Sequence, residues 1–247
     1  MKYILYIALV FVIGAGAYIF ITRDTPFPVV PDTGMQVTTL APMQLCFAEY
    51  GPIQPSGFSD TYTLRMVLDG TKVSGELKFF PAEKDSKVGS FTGDVSAVDP
   101  YSMARTVTAM WDTYAEGMHT TEELSIIFGE GTASIGFGPM VDRGDGVYVY
   151  EESDEILYNL HLTDIACSDL TERDNVEAYI RENIATIAPE KAVLGGTWYV
   201  VTNTVDVDSN TGSVTYEDGH IQKTSNYSYE TDAEFTVTAL SFITNPI

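Results

Sequence analysis

The chain has 247 residues, 45% of them hydrophobic, and a formal net charge of −22 from 13 basic and 35 acidic side chains. That length and hydrophobic share exclude wholesale disorder, and so few Lys and Arg exclude a nucleic-acid-binding face and docking on anionic lipid head groups. Two cysteines are too few for a disulfide-rich scaffold or a cysteine-rich zinc module.

Residues 3–22 carry no charge, with Lys2 before them and Arg23 after. Twenty helical residues rise about 30 Å, the hydrocarbon thickness of a bilayer. Tyr3, Tyr6 and Tyr18 lie toward the ends of the run, where aromatic rings favour the interface. We read residues 1–23 as an uncleaved transmembrane signal-anchor that meets the lipid bilayer through residues 3–22. The alternative is a signal peptide cut near Ala17, since Ala15-Gly16-Ala17 forms an A-x-A pattern; the apolar stretch continuing through Ile21 argues against it. Lys2 and the amino terminus favour a single pass with the N-terminus cytoplasmic and the domain outside. Setting aside Lys2 and Arg23, residues 24–247 hold 11 basic and 35 acidic side chains, a net of −24. Residues 24–42 contain Pro26, Pro28, Pro31, Gly34 and Pro42, a density that blocks a helix and makes an extended stalk.

From residue 43 to 247 we expect one β-rich extracytoplasmic domain, with a sub-boundary placed near residue 168. Tyr62, Leu64, Met66 and Leu68 alternate with Thr61, Thr63, Arg65 and Val67, and Asp69-Gly70 then supplies a hairpin turn. Val73, Gly75, Leu77 and Phe79 continue the alternation until Pro81. Residues 90–98 read as another strand. Residues 101–118 fit either a helical stripe or a strand face; the β-branched Thr106-Val107-Thr108 favours a strand from near Thr106. Residues 124–128 and 133–137 form a hairpin around Gly129-Glu130-Gly131, followed by short strands at 147–150 and 156–162. One helix is expected over 169–188, capped by Ser168 or Thr171, with Val176, Ile180, Ile184 and Ile187 at helical spacing and a Glu177–Arg181 pair on its surface; Pro189 ends it. Strands return at 197–207, at 214–216 with an Asp218-Gly219 turn, and at 235–243. The fold class is mainly β, an antiparallel barrel or sandwich with one packed helix.

Cys46 and Cys167 form an even pair, and outside the cytoplasm we expect them bonded rather than left as free buried thiols. The sharpest metal-like pattern is Asp206, Asp208, Asn210 and Glu217, at positions 1, 3, 5 and 12 of a calcium-type loop. Thr211 stands where the sharp turn wants Gly, and the flanks read as strands, so a polar hairpin turn competes with Ca²⁺ here. Asp142-Arg143-Gly144-Asp145-Gly146 reads as a tight loop rather than an adhesion motif. His119, His161 and His220 make no metal-type spacing; Glu116 with His119, or Asp218 with His220, would be the acid/base pairs to test. No P-loop, dinucleotide fingerprint or G-x-S-x-G is present. Glu151, Glu152, Asp154 and Glu155 read as a solvated loop. Gly196-Thr197-Trp198 echoes the G-x-W motif of lipocalins, which there lies on the first strand of a ligand-holding barrel; its place near the C-terminal end here makes Trp198 a core aromatic by expectation.

Four segments, at residues 80–89, 141–150, 193–201 and 214–221, together resemble a family of bacterial exported or membrane-anchored β-rich proteins of unknown function. Among their motifs are Phe80-Pro81-Ala82, Asp142-Arg143-Gly144-Asp145-Gly146, Gly195-Gly196-Thr197-Trp198-Tyr199 and Tyr216-Glu217-Asp218-Gly219-His220. The resemblance spans about residues 44–223 and implies a location, not a chemistry. We expect no catalytic residue and no cofactor other than a candidate Ca²⁺. The leading function is a non-enzymatic binding or envelope-associated module, its partner a small apolar ligand in a barrel mouth or an envelope protein. The alternatives are a hydrolase-type enzyme whose carboxylates spacing does not reveal, and a Ca²⁺-dependent interaction protein.

Overall fold

The computed structural model describes residues 41–52, 54, 58–82 and 84–243. The anchor expected over 1–23, and the stalk up to residue 40, lie outside them. Among the described residues no helix is long and apolar enough to cross a membrane.

Eight antiparallel strands close into a barrel. They are β1 (Met43–Tyr50), β2 (Thr61–Asp69), β3 (Lys72–Phe80), β4 (Lys87–Val95), β5 (Arg105–Ala115), β6 (Met118–Gly129), β7 (Thr132–Phe137) and β10 (Leu157–Asp164). Each of the first six pairs with the next in sequence, and β10 bonds both β7 and β1. Ambiguity between barrel and sandwich thus resolves to closure, which pairs every one of these strands on both sides over at least part of its length. The turns Glu116-Gly117 and Glu130-Gly131 take positive φ at both residues, the hairpin geometry that matches the twist of the flanking strands. Two short strands, β8 (Met140–Asp142) and β9 (Val147–Tyr150), form a hairpin outside the ring, with β9 lying parallel to β6.

The expected alternation is what fills the barrel. Leu64, Met66 and Leu68 on β2 point inward with Val73 and Leu77 on β3, Phe91 on β4, and Val107, Ala109 and Trp111 on β5. The opposite wall supplies Leu124, Ile126 and Phe128 on β6, Ile135 on β7 and Leu162 on β10. The interior is a packed core, as eight strands allow.

After β10 the chain enters α1 (Cys167–Ile187) and then a four-stranded antiparallel meander: β11 (Tyr199–Asp206), β12 (Thr211–Glu217), β13 (Gln222–Thr231) and β14 (Val237–Ile243). One face of α1 buries Val176, Ile180 and Ile184 against Trp198, Val205, Val214, Tyr216, Tyr227 and Tyr229, a second core. The helix starts without the expected side-chain cap: extended Ala166 is the N-cap, and Thr171 Oγ1, one turn in, donates to the Cys167 carbonyl at 2.8 Å. Its end before Pro189 is as the sequence requires. Strand β14 begins at Val237, not Phe235, because the Asp232 carboxylate accepts the N–H groups of Glu234 and Thr236 and turns that segment.

Cys46 and Cys167 are bonded, with Cα atoms 5.2 Å apart across a sequence separation of 121. The bond ties the middle of β1 to the first turn of α1. Two polar contacts cross the same junction. Arg65 Nη1 donates to Thr171 Oγ1 at 2.9 Å, and Lys78 Nζ donates to Asp174 at 2.7 Å.

Candidate functional site

The barrel is incomplete at one level of its wall. Strand β6 bonds β7 from Ile126 to Gly129 and bonds β9 at Thr121 and Glu122, so its neighbours part between Glu122 and Ile126. A cavity of about 370 Å³ opens there. Inward residues line it: Leu77 and Phe79 from β3, Trp111 from β5, Leu124 from β6, Ile135 and Phe137 from β7. Phe79 and Phe137 are neighbours in this lining, their ring centroids 5.8 Å apart, and Tyr62 backs Phe79 at 4.8 Å.

Into this apolar mouth the strands bring one ion pair. Lys87 precedes Gly89 and Phe91 on the inward phase of β4, and Glu122 precedes Leu124 and Ile126 on the inward phase of β6. Lys87 Nζ reaches both Glu122 oxygens, at 2.7 and 2.8 Å, and stands 5.9 Å from the centre of the Trp111 ring. Thr120 Oγ1 donates to Glu122 Oε1 at 3.3 Å, and fully buried Thr113 shares a hydrogen bond with Thr120 at 3.0 Å. Trp111 Nε1 donates to the Gly89 carbonyl at 3.0 Å, which fixes the indole. Tyr150 of β9 closes the rim. Its N–H donates to Glu123 Oε2 and its hydroxyl to the Gly136 carbonyl, and burial pushes its phenol up to about 12. The mouth therefore offers an aromatic surface and one preformed ion pair whose partners a ligand can share. An apolar lining with few convergent polar groups is the usual make-up of a small-molecule site.

The calcium-type set does not assemble. Asp206 and Asn210 lie at the β11–β12 turn, where Asp206 Oδ1 accepts the N–H groups of Asp208 and Ser209. Glu217 is at the other end of the hairpin, opposite Tyr199 and hydrogen-bonded to its hydroxyl. With six register steps between them at about 3.3 Å each, Asp206 and Glu217 cannot share an ion. Among the described residues no group of three or more His, Cys, Asp or Glu is placed to hold a metal.

The other motifs also resolve. His119 Nε2 meets Asp112 at 2.9 Å rather than Glu116, on an exposed surface. Asp218 is engaged by the backbone of its own turn and of the Val193 segment. Although burial pushes its carboxyl up, hydrogen bonds from the N–H groups of Ile221, Val193 and His220 outweigh that and hold it below the usual carboxylate range. Asp142 Oδ1 accepts from Gly144 and Gly146, and Arg143 pairs with Asp145, so the Arg-Gly-Asp tripeptide is the β8–β9 turn. Trp198 belongs to the second core, edge-on to Tyr216, and its Nε1 donates to the Glu190 carbonyl. It is not at the end of the barrel, so the lipocalin echo has no counterpart in position.

The mouth had a readable signal that spacing motifs passed over. Lys87 and Glu122 are charged residues on otherwise apolar strand phases, the pattern of a polar group turned into a core. The chain matches no known protein family, no curated protein and no solved structure.

Proposed function

We propose that this protein is a non-enzymatic binding module that holds a small, largely apolar molecule in the mouth of its barrel. The mouth itself carries the proposal: an inward-facing cavity of about 370 Å³ lined by Phe79, Trp111, Phe137 and Tyr150, with one ion pair, Lys87–Glu122. Its volume lies at the small end of the range usual for small-molecule sites. We further propose that the domain is displayed outside the cytoplasm on an N-terminal anchor. The uncharged run of residues 3–22 supports this, as does the Cys46–Cys167 bond, because disulfides persist in oxidising compartments.

The test is photolabelling of the full-length protein in membranes with a small neutral diazirine, the labelled peptides mapped by mass spectrometry. Label is expected on the segments bearing Trp111 and Phe137. It should be lost in Phe137→Asp, which puts a charge at a partly exposed position and spares the core. Labelling confined to the anchor, or unchanged by Phe137→Asp, would overturn the proposal.

A further inference from the structure

A second cavity, of about 480 Å³, lies between the outer face of the barrel and α1. Thr61 and Thr63 of β2 and Lys78 and Phe80 of β3 form one wall, and the helix side carries Arg173 and Arg181 together with the carboxylates Asp174, Glu177 and Glu182. In a chain with so few cations the clustering is notable: of the 11 basic residues beyond Arg23, Arg65, Lys78, Arg173 and Arg181 gather at this junction. The pairing is uneven. Asp174 takes both Lys78, at 2.7 Å, and Arg65, at 3.4 Å. Among the described residues, Arg173 and Arg181 form no ion pair within 4.0 Å, so the expected Glu177–Arg181 pair is not made. Arg173 instead stacks on the Tyr50 ring, its guanidinium carbon 4.2 Å from the centroid. Arg173, Glu177 and Arg181 follow one another at four-residue spacing, one above the next on one helix face.

We propose that this cleft is a binding site for a free oxyanion, a sulfate, phosphate or carboxylate group of a soluble ligand, held between Arg173 and Arg181. A guanidinium fork matches such groups. The Thr61 and Thr63 hydroxyls and the Phe80 ring supply further hydrogen bonds and an apolar wall. A soluble anion rather than a lipid head group is the occupant, because a small ion enters the cleft alone, whereas an anionic bilayer must bring its whole charged surface against this acidic one.

Glu177 makes the site sensitive to pH. Burial raises its carboxyl to about 7, against the pull of Arg173, Lys78 and Arg181 and with the push of Asp174. Tyr50 from β1 and Tyr227 from β13 also face it. When Glu177 is protonated it no longer competes for the arginines, so the anion binds more tightly as pH falls through about 7.

Phenylglyoxal modification of the full-length protein in phosphatidylcholine nanodiscs, followed arginine by arginine by mass spectrometry, tests this. Sulfate is the probe because it stays dianionic throughout, with chloride matching its ionic strength. Sulfate should slow modification of Arg173 and Arg181 at least several-fold and leave half-buried Arg105 and exposed Arg143 unchanged. At pH 8.5 protection should be stronger in Glu177→Gln than in wild type; at pH 6.5 the gap should narrow. Equal sulfate effects at all four arginines, or none at any, would overturn the site. Protection by phosphatidylglycerol nanodiscs without sulfate would overturn the choice of a free anion.

Discussion

Gly75 shows how little room the barrel leaves. It sits on the inward phase of β3, and a Cβ built there comes within 2.2 Å of the Arg65 carbonyl oxygen on one neighbouring strand and 2.5 Å of the Phe91 ring, which is 1% exposed, on the other. Small and large residues alternate across facing positions, so the ring fills what the glycine vacates. Gly75→Val should therefore lower stability by about 1–3 kcal/mol, the usual cost of overpacking a core. Urea unfolding measures it, and Phe91→Leu in the same chain should recover part of the loss by restoring space. An additive double variant would mean that the two side chains do not meet. The alternation placing Gly75 inward is plain in the sequence. Its partner is not, because Phe91 reaches it only through the β3–β4 register. The mouth divides the same way: Lys87 and Glu122 each stand out as charges on an apolar phase, but nothing local says that closure brings them to 2.7 Å.

At the scale of elements, segments whose burial is one-sided were the legible ones. Strands β2, β3 and β5 and the stripe Val176–Ile180–Ile184 carry their periodicity in the side chains. Strand β13 carries little of it, since Gln222, Thr224, Asn226 and Ser228 alternate with Lys223, Ser225, Tyr227 and Tyr229 and only the two tyrosines mark the inner face. The helix alone suggests a Glu177–Arg181 surface pair, because the partners Arg65 and Lys78 of that face are about a hundred residues away. Their packing has a measurable consequence at Glu177. Its pKa rises on folding from 4.5 to about 7, so between those values the folded state binds more protons than the unfolded. Stability then falls as pH rises through this window, with the penalty complete above it. Glu177→Gln removes the penalty. The variant should match wild type near pH 4 and exceed it at pH 8, by no more than about 3 kcal/mol at 1.36 kcal/mol per pKa unit. Denaturant midpoints of both proteins across pH 4–8 decide the matter; curves that stay parallel would place Glu177 in water.

The whole domain is two cores joined by few contacts. The net of −24 beyond residue 23 keeps its surface soluble and opposes compaction, so the junction matters more than it would in a neutral protein. Across it run the Cys46–Cys167 bond and the pairs of Arg65 and Lys78 with α1. Partly exposed ion pairs add little on their own, so the covalent link should dominate. Closing a loop of 121 residues is worth about 4–5 kcal/mol in the chain-entropy account. The two tryptophans happen to report one core each, Trp111 the barrel and Trp198 the helix and sheet. Trp111→Phe and Trp198→Phe therefore give single-reporter proteins in which either core is followed alone. With the disulfide intact, both reporters should show the same urea midpoint, the mark of one cooperative transition. With Cys46→Ser and Cys167→Ser added, the midpoints should fall and separate, because each core then unfolds on its own balance of burial and chain entropy. If they fall together, the polar contacts of α1 with β2 and β3 suffice to couple the cores, and the disulfide stabilises the domain without organising it.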